Sequence, residues 1–188
     1  MKRLGFFFDM NFCIACKACQ IACKDKNDLW EGQFFRKVVT FESGEGVEAN
    51  GAPRLRNFSG ACNNCAKPAC VPLCPAGAIY RGEDGLVTLD RLKCVGCGKC
   101  VRACPYHAVT LRKAGTPAAK CDTCEALRRK GQNPVCVDAC ITRCLRFGDL
   151  DGFRRQEGPG LVQTLPILPD PALTEPSLLI KPAGPRHE

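Results

Sequence analysis

Residues 94–105 read CVGCGKCVRACP, and this stretch decides the fold. Its four cysteines follow the spacing C-x2-C-x2-C-x3-C, and a proline comes directly after the last of them. Three cysteines at this spacing allow one short loop to bind three irons of a [4Fe–4S] cluster, whereas the fourth points away and binds a neighbouring cluster. The stretch therefore predicts one half of a domain that holds two clusters.

Three further groups of four cysteines flank this stretch. The first group has the same spacing, the second is C-x2-C-x4-C-x3-C and the fourth is C-x2-C-x11-C-x3-C. In chain order the groups are Cys13, Cys16, Cys19 and Cys23; Cys62, Cys65, Cys70 and Cys74; Cys94, Cys97, Cys100 and Cys104; and Cys121, Cys124, Cys136 and Cys140. These sixteen of the seventeen cysteines are predicted to bind the iron of four [4Fe–4S] clusters.

Crosswise ligation predicts which cysteines share a cluster, because the last cysteine of each group binds the cluster of its partner group. The second and third groups are neighbours, and the first and fourth form the remaining pair. The predicted ligand sets are Cys13, Cys16, Cys19 and Cys140; Cys23, Cys121, Cys124 and Cys136; Cys62, Cys65, Cys70 and Cys104; and Cys74, Cys94, Cys97 and Cys100. The alternative pairs the first group with the second and the third with the fourth.

The segments around the cysteines repeat as well. FFFD before the first group and VTLD before the third both place an aspartate four residues ahead of the first cysteine. The stretch AIYRGEDGLVTL has two β-prone runs about a turn, which predicts a hairpin, and short strands are expected after Cys104 and Cys140. The repeat predicts an α+β fold of two ferredoxin-like modules. We expect the outer module at residues 1–23 and 113–152, with the inner module, residues 57–112, inserted in it.

Two segments lie outside this repeat. Residues 24–56 are expected to form a loop that connects the modules, and residues 125–135 a helical turn ended by Gly131 and Pro134. From residue 153 to 188 cysteines are absent and prolines are frequent. Such a segment cannot fold alone, so we expect an extended tail that is disordered or lies over a binding partner.

The formal net charge of +8 raises the question of nucleic-acid binding. Sixteen thiolates on four oxidised clusters would remove about eight charges, which leaves the loaded chain near neutral. Many basic residues also lie beside the cysteines, namely Lys17, Lys24, Lys67, Lys93, Lys99, Arg102 and Lys120. We interpret them as counter-charges of the clusters and expect no nucleic-acid partner.

A cysteine content of about 9% also occurs in secreted disulfide scaffolds. The apolar run at residues 4–8 ends at Asp9, however, and is too short for a signal peptide. No segment has the length needed to span a bilayer, so no direct membrane span is expected. Zinc sites commonly use two CxxC pairs, a format that only the fourth group fits tolerably. The sequence therefore favours clusters over disulfides or zinc.

Three single residues have both a functional and a structural interpretation. Cys144 could be a substitute ligand or a redox thiol, but it stands where the repeat has Ala78 and Ala108, which favours a small buried side chain. His107 could relay protons or contact a partner, and Trp30 could dock a partner or a quinone, yet packing explains both. No Ser/His/Asp set, phosphate loop or carboxylate pair is present, so no catalytic residue is predicted.

Over residues 4–150 the chain resembles the four-cluster iron–sulfur subunit of the dimethyl sulfoxide reductase family. The resemblance rests on CIACKACQIACKDKNDL, CNNCAKPACVPLCPAGAIY, CVGCGKCVRACPYHAV and CDTCEALRRKGQNPVCVDAC. The tail segment LPDPALTEPSLLIKP is most similar to the dimethyl sulfoxide reductase branch. One departure is that Lys24 and Ile141 replace the proline that follows Cys74 and Cys104.

This resemblance implies a non-catalytic electron-transfer subunit of an anaerobic respiratory complex, with four [4Fe–4S] clusters. Its implied partners are a molybdopterin-containing catalytic subunit and an integral membrane subunit that reacts with quinone. The chain would then lie at the membrane through its partner, on the periplasmic face after co-export. The alternative is a cytoplasmic polyferredoxin that serves a hydrogenase or a formate-oxidising system, but such a free carrier gains little from the long tail.

Overall fold

The computed structural model describes residues 2–47, 53–113 and 115–184. Residues 48–52 of the predicted connecting loop and 185–188 of the predicted tail lie outside the described residues. In the described part the strands are β1 (Leu4–Asp9), β2 (Lys37–Val47), β3 (Pro53–Gly60), β4 (Ile79–Arg81), β5 (Val87–Leu89), β6 (Val109–Thr110), β7 (Ala119–Lys120), β8 (Leu145–Asp149) and β9 (Leu178–Lys181). The helices there are α1 (Ala18–Lys26), α2 (Lys99–Ala103), α3 (Glu125–Arg128), α4 (Val135–Asp138) and α5 (Leu150–Glu157), with a 3-10 turn at Pro171–Leu173.

The central sheet joins the two ends of the chain. Strand β1 is its middle strand and pairs antiparallel with β8 and parallel with β9. Successive side chains of a strand point to opposite faces, and both faces of β1 are covered. Phe6 and Phe8 pack with the buried cysteines, whereas Phe7 packs on the other face against Leu150 and Phe153 of α5. The run of three phenylalanines is therefore buried throughout.

The predicted extended tail differs from the structure in two respects. Helix α5 begins at Leu150, ahead of the expected boundary at residue 153, and is capped by the Asp149 side chain. The chain then returns across its own surface, and β9 adds a strand to the central sheet. The close approach requires a glycine in β1, because a Cβ at Gly5 would lie 2.1 Å from the carbonyl oxygen of Ser177. The tail thus covers the chain itself, and a role in partner binding stays a prediction.

The predicted connecting loop contains a hairpin. Strands β2 and β3 pair antiparallel from Lys37 opposite Gly60 to Val47 opposite Pro53, with an irregular register beyond Glu42. Phe58 of β3 packs edge-to-face on Phe8 of β1, with 5.5 Å between the ring centroids. The hairpin therefore lies over the central sheet, close to the first group of cysteines.

Several local predictions near the cysteines are confirmed. Strands β4 and β5 form the predicted hairpin, with Ile79 opposite Leu89. Strand β6 follows Cys104 and β8 follows Cys140, as expected. The predicted helical turn is α3, which leads to a left-handed Gly131 and then to Pro134 at the start of α4. Among the described residues, none of the helices has the length and apolar character needed to cross a membrane.

Candidate iron–sulfur sites

The first predicted ligand set lies where helix α1 begins. Cys13, Cys16, Cys19 and Cys140 line one cavity with about 310 Å³ of empty space. The chain enters α1 through Lys17, whose left-handed φ of 61° turns the cysteine loop back on itself. Cys19 and Cys140 are buried, whereas Cys16 is exposed. The fold thus brings all four thiols of this set to one cavity.

The second predicted set lies between two packed helices. Cys23 is in α1 and Cys136 is in α4, and these helices contact each other. The pKa of Cys23 is raised to about 11, first by burial and then by the thiol of Cys136. Burial also raises the pKa of Cys121, together with the nearby thiols of Cys62, Cys136 and Cys23. Cys124, which follows Thr123, also interacts with Cys23. The four thiols therefore lie close enough to interact.

The third predicted set is closed from outside by the tail. Cys62, Cys65, Cys70 and Cys104 line a cavity with about 370 Å³ of empty space, which Thr174 also lines. The pKa of Cys70 is raised to about 12, first by burial and then by the thiol of Cys62. Burial likewise raises the pKa of Cys65 to about 11, and a hydrogen bond with Thr174 opposes that rise. This contact with the tail was not predicted from the sequence.

The fourth predicted set lies about helix α2. Cys74, Cys94, Cys97 and Cys100 line a cavity with about 310 Å³ of empty space. Helix α2 begins after a left-handed Gly98, so the loop that carries Cys94 and Cys97 folds back toward Cys100. Cys100 is buried, and Cys97 is exposed. The fold again brings all four thiols of the set together.

The backbone around the cysteines fits an anionic cluster. Amide N–H groups donate to cysteine sulfurs from Ala78 to Cys74 (3.2 Å), Ala108 to Cys104 (3.5 Å), Ala118 to Cys94 (3.3 Å) and Thr123 to Cys121 (3.3 Å). Left-handed residues within the cysteine groups include Ala15, Lys17, Gly96, Gly98 and Thr123, and such turns direct N–H groups toward a bound anion. The donors therefore suit sulfur that carries negative charge.

The arrangement of the thiols also suits a cluster more than a single ion. Across residues 2–47, 53–113 and 115–184, no three His, Cys, Asp or Glu side chains converge closely enough to hold one metal ion. In a four-iron cluster each cysteine binds a different iron, so the sulfurs stand farther apart than around one zinc ion. Four thiols around a shared cavity are the arrangement that a cluster requires.

The four sets adjoin one another in order. Cys19 of the first set interacts with Cys136 of the second, and Cys121 of the second interacts with Cys62 of the third. The third and fourth sets share one apolar core around Ile79. All seventeen cysteines are described, and the two exposed ones are Cys16 in the first set and Cys97 in the fourth. The series therefore has an exposed thiol at each end.

Cys144 is buried, as its place in the repeat predicts, with 4% of its surface exposed. Its sulfur lies 3.5 Å from that of Cys140. A hydrogen bond between the Cys144 and Cys13 thiols lowers the pKa of Cys13 and is the main cause of the raised pKa of Cys144. Cys144 thus contacts two predicted ligands, a relationship that alignment with Ala78 and Ala108 did not reveal.

Most of the predicted counter-charges lie at the surface. Lys67 pairs with Glu175 at 2.6 Å, and Lys93 lies 3.8 Å from Asp90. Lys120 is buried, and its ammonium donates to the carbonyl oxygens of Val87 and Cys121. A buried cation that sequence reasoning missed is Arg36, which comes from the segment predicted to be a loop. No pattern in its neighbours, Phe35 and Lys37, marks it as different from a surface arginine.

His107 and Trp30 remain without an assigned role. His107 is exposed, has a left-handed backbone, and lines an apolar groove beside the β2–β3 hairpin. Trp30 is partly exposed, and the guanidinium of Arg112 lies 5.6 Å from the centroid of its ring. The Arg112 contact provides a packing role for Trp30, and contact of either residue with a partner stays a prediction.

Known proteins share both this domain and the extent of this chain. Residues 54–150 match the family described as the 4Fe-4S dicluster domain. The B subunit of the anaerobic dimethyl sulfoxide reductase of Escherichia coli (strain K12) is 39% identical over 184 residues, which cover 96% of this chain and 89% of that protein. The thiosulfate reductase electron transfer subunit of Salmonella typhi is 41% identical over 153 residues, 81% of this chain and 79% of that protein. The B subunit of the polysulfide reductase of Wolinella succinogenes is 32% identical over 183 residues, 96% of this chain and 95% of that protein.

Proposed function

The chain belongs to the family of iron–sulfur subunits of reductase complexes that includes the B subunit of dimethyl sulfoxide reductase, and we propose that it carries electrons between two larger subunits. Its relatives are electron-transfer subunits, and this chain likewise is a carrier and not a catalytic subunit. The proposed partners are a molybdopterin-containing catalytic subunit and a quinone-reactive membrane subunit. These partners are what the iron–sulfur subunit of a reductase would connect.

Four [4Fe–4S] clusters on the four ligand sets predicted from the sequence form the core of the proposal. Three sets each line one cavity, and the thiols of the other set interact with one another. These groupings support crosswise ligation, because in each set one cysteine comes from a different group in the sequence. When bound, each cluster supplies a site that takes up and releases one electron.

Two nested modules are proposed on the same basis. Strand β1 pairs with β8, and α1 packs on α4, so the first cysteine group meets the fourth in space. The second and third groups share a separate small core around Ile79, Val87 and Val109. This division supports an inner ferredoxin-like module inserted in an outer one, with the start of the tail added to the outer sheet.

The chain's part in electron transfer is to fix the order of the ligand sets and the charge around them. Backbone N–H groups at Ala78, Ala108, Ala118 and Thr123 hold cysteine sulfurs and stabilise their negative charge. Burial of most of the cysteines excludes water, which strengthens each of these interactions. The exposed Cys16 and Cys97 mark the two ends at which electrons would enter and leave.

The observation that carries the bridging role is the apolar surface close in sequence to each exposed end. Phe12, Ile14 and Ile141 are exposed beside cysteines of the first set. Leu73, Leu92 and Val95 are exposed beside cysteines of the fourth, and Leu92 is fully exposed. Apolar clusters of this kind are typical of surfaces that another protein covers. A free polyferredoxin would have no partner to cover two such surfaces.

Co-purification from solubilised membranes tests this proposal. Affinity-tagged chain is expected to bring down one molybdenum-containing subunit and one membrane subunit, identified by mass spectrometry. The double variant Phe12→Glu/Ile141→Glu should lose one of these partners, and Leu73→Glu/Leu92→Glu should lose the other. Leu55→Glu, an exposed site on the hairpin outside both patches, serves as the control and should lose neither. Isolation of the unmodified chain as a stable soluble monomer would favour the polyferredoxin alternative instead.

The periplasmic face of the membrane is the proposed location. Clusters are inserted in the reducing cytoplasm, so the folded subunit would be exported together with a signal-bearing catalytic subunit. Protease added to intact spheroplasts should then digest the tagged chain or its complex. Protection until the spheroplasts are lysed would place the chain on the cytoplasmic side.

A further inference from the structure

Arg36 places a positive charge in the interior of the protein. Its side chain is 1% exposed and is among the largest fully buried ones. Arginine is almost never buried in full unless it has a partner of opposite charge. No carboxylate of the described residues forms an ion pair with it, so its compensation must come from groups of another kind.

The guanidinium lies between two of the predicted ligand sets. Its Nη1 donates to the carbonyl oxygen of Ser59 at 3.0 Å and to the Ser59 hydroxyl at 3.2 Å. The same hydroxyl lies 3.4 Å from the sulfur of Cys19, which belongs to the first set. On its other side the guanidinium lies against Cys136 of the second set. The Phe6 ring packs on it, with its centroid 4.4 Å away.

Two of its donors remain available. Nε and Nη2 of Arg36 are buried and have no hydrogen-bond partner among the protein atoms described. Burial alone would lower the pKa of Arg36, but the thiols of Cys136, Cys121 and Cys19 in their charged form raise it above its ordinary value. Arginine therefore stays charged here at any working pH. The groups that compensate this charge are cysteines of both sets.

We propose that Arg36 is the shared counter-charge of the two outer clusters and that it raises the reduction potential of both. This inference rests on the ligand sets of the proposed function. Its free N–H groups are the donors available to cluster-bound sulfur. Arg36 is a tuning residue, since it binds no iron and takes part in no bond that is made or broken.

The direction of the effect follows from electrostatics. Reduction adds one electron and no proton to a cluster that four thiolates already make anionic. A fixed positive charge stabilises the reduced form more than the oxidised form, and it does so strongly where burial keeps the effective dielectric constant low. A nearby guanidinium therefore raises the potential, and it does so equally across pH because arginine does not titrate.

The hairpin also gains a role from this inference. Arg36 directly precedes β2, and its partner Ser59 lies near the end of β3, opposite Val38. Pairing of the two strands therefore fixes the guanidinium against Cys19 and Cys136. The β2–β3 hairpin thereby delivers a cation to a point that neither cysteine group reaches by itself.

Redox titration of the assembled complex, followed by electron paramagnetic resonance, tests the proposal. Arg36→Met removes the charge while keeping a long apolar side chain, and it should shift the potentials of two clusters to more negative values. The other two clusters, held by the second and third cysteine groups, should keep their potentials and so provide an internal control. Arg102→Met, which removes an exposed arginine beside the fourth set, should leave the outer pair unchanged. Iron content is measured on each sample first.

Each remaining outcome is decisive. Full iron in Arg36→Met with unchanged potentials in the outer pair would show that the side chain only fills space, and would overturn the proposal. If Arg36→Met fails to load the outer sites, Arg36→Lys distinguishes charge from shape. Full iron in Arg36→Lys would then show that the charge is required, whereas loss of iron there too would show that only the shape of arginine matters and would overturn the proposal. In either case, failure to find four clusters in the unmodified chain would count against the proposed function instead.

Discussion

Cys144 is the one cysteine that no ligand set requires. Alanine occupies the equivalent place at residues 78 and 108, so Cys144→Ala is expected to keep the full iron and sulfide content. The loss of a small buried thiol should lower the free energy of unfolding by only about 1 kcal/mol. Cys140→Ala, the matched control, should lose one cluster, or about four irons. Iron and acid-labile sulfide per chain measure the difference, and equal losses in both variants would identify Cys144 as a ligand.

Gly96 and Gly98 provide a second test with single residues. Both are left-handed, at φ +67° and +72°, so alanine at either position costs about 1–2 kcal/mol of backbone strain. A Cβ at Gly96 would also lie 2.4 Å from the carbonyl oxygen of Thr116, whereas the nearest atom at Gly98 is on the Arg102 side chain, at 3.4 Å. The loop that carries Cys94 and Cys97 must therefore move only in Gly96→Ala.

Gly96→Ala is accordingly expected to lose iron from the fourth set, and Gly98→Ala to keep it with a modest decrease in melting temperature. Iron content and thermal unfolding of the two variants, purified side by side under nitrogen, measure the contrast. Equal iron content in both would show that the contact with Thr116 does not position the ligands of this set.

Spacing made the cysteines predictable at this scale, because the geometry of a cluster restricts how many residues can separate its ligands. Arg36 was not predictable. Its burial depends on the pairing of β2 with β3, and on Cys19 and Cys136, which are 117 positions apart in the chain. The contacts of Cys144 with Cys13 and Cys140 depend in the same way on the meeting of distant segments.

Among the structural elements, those next to cysteine groups were predictable and those far from them were not. Strands β4, β5, β6 and β8 follow from the repeat and from β-prone residues around a turn. Strand β9 is a four-residue apolar run between prolines, and nothing local to it indicates that it pairs with β1. The alternation of side chains in VVTFE and RLRNF could have indicated the β2–β3 hairpin, but the length of the segment favoured a loop.

Docking of the tail on β1 can be tested with two glycines. Gly5→Ala places a Cβ 2.1 Å from the carbonyl oxygen of Ser177 and 2.8 Å from Cδ2 of Leu150, so it should displace the tail. Overpacking of this kind lowers the free energy of unfolding by about 1–3 kcal/mol. Gly152→Ala in α5 meets only ordinary contacts, 3.5 Å or more away, and should stabilise the chain by about 0.5–1 kcal/mol.

Hydrogen exchange of residues 178–181 and the midpoint of chemical unfolding measure the two effects, which have opposite signs. The tail amides should lose protection in Gly5→Ala and keep it in Gly152→Ala. Full protection in Gly5→Ala would mean that β9 does not depend on a close approach to β1.

For the molecule as a whole, charge and order are the properties that matter. The formal charge of +8 belongs to the chain without clusters, and sixteen bound thiolates would bring it near neutral. The crosswise rule predicts which cysteines share a cluster, but it does not predict which sets adjoin. That order, and the exposed ends at Cys16 and Cys97, required the three-dimensional fold. The fold also indicates why a single polypeptide can serve two partners at once, since its two apolar patches accompany different cysteine groups.

Measurement of metal and sulfide in anaerobically purified protein tests the central claim most directly. We expect a brown protein with about sixteen irons and about sixteen acid-labile sulfides per chain, as four four-iron clusters require. A folded chain that is colourless and free of iron, or that contains zinc in place of iron, would contradict the assignment of these cysteines to clusters.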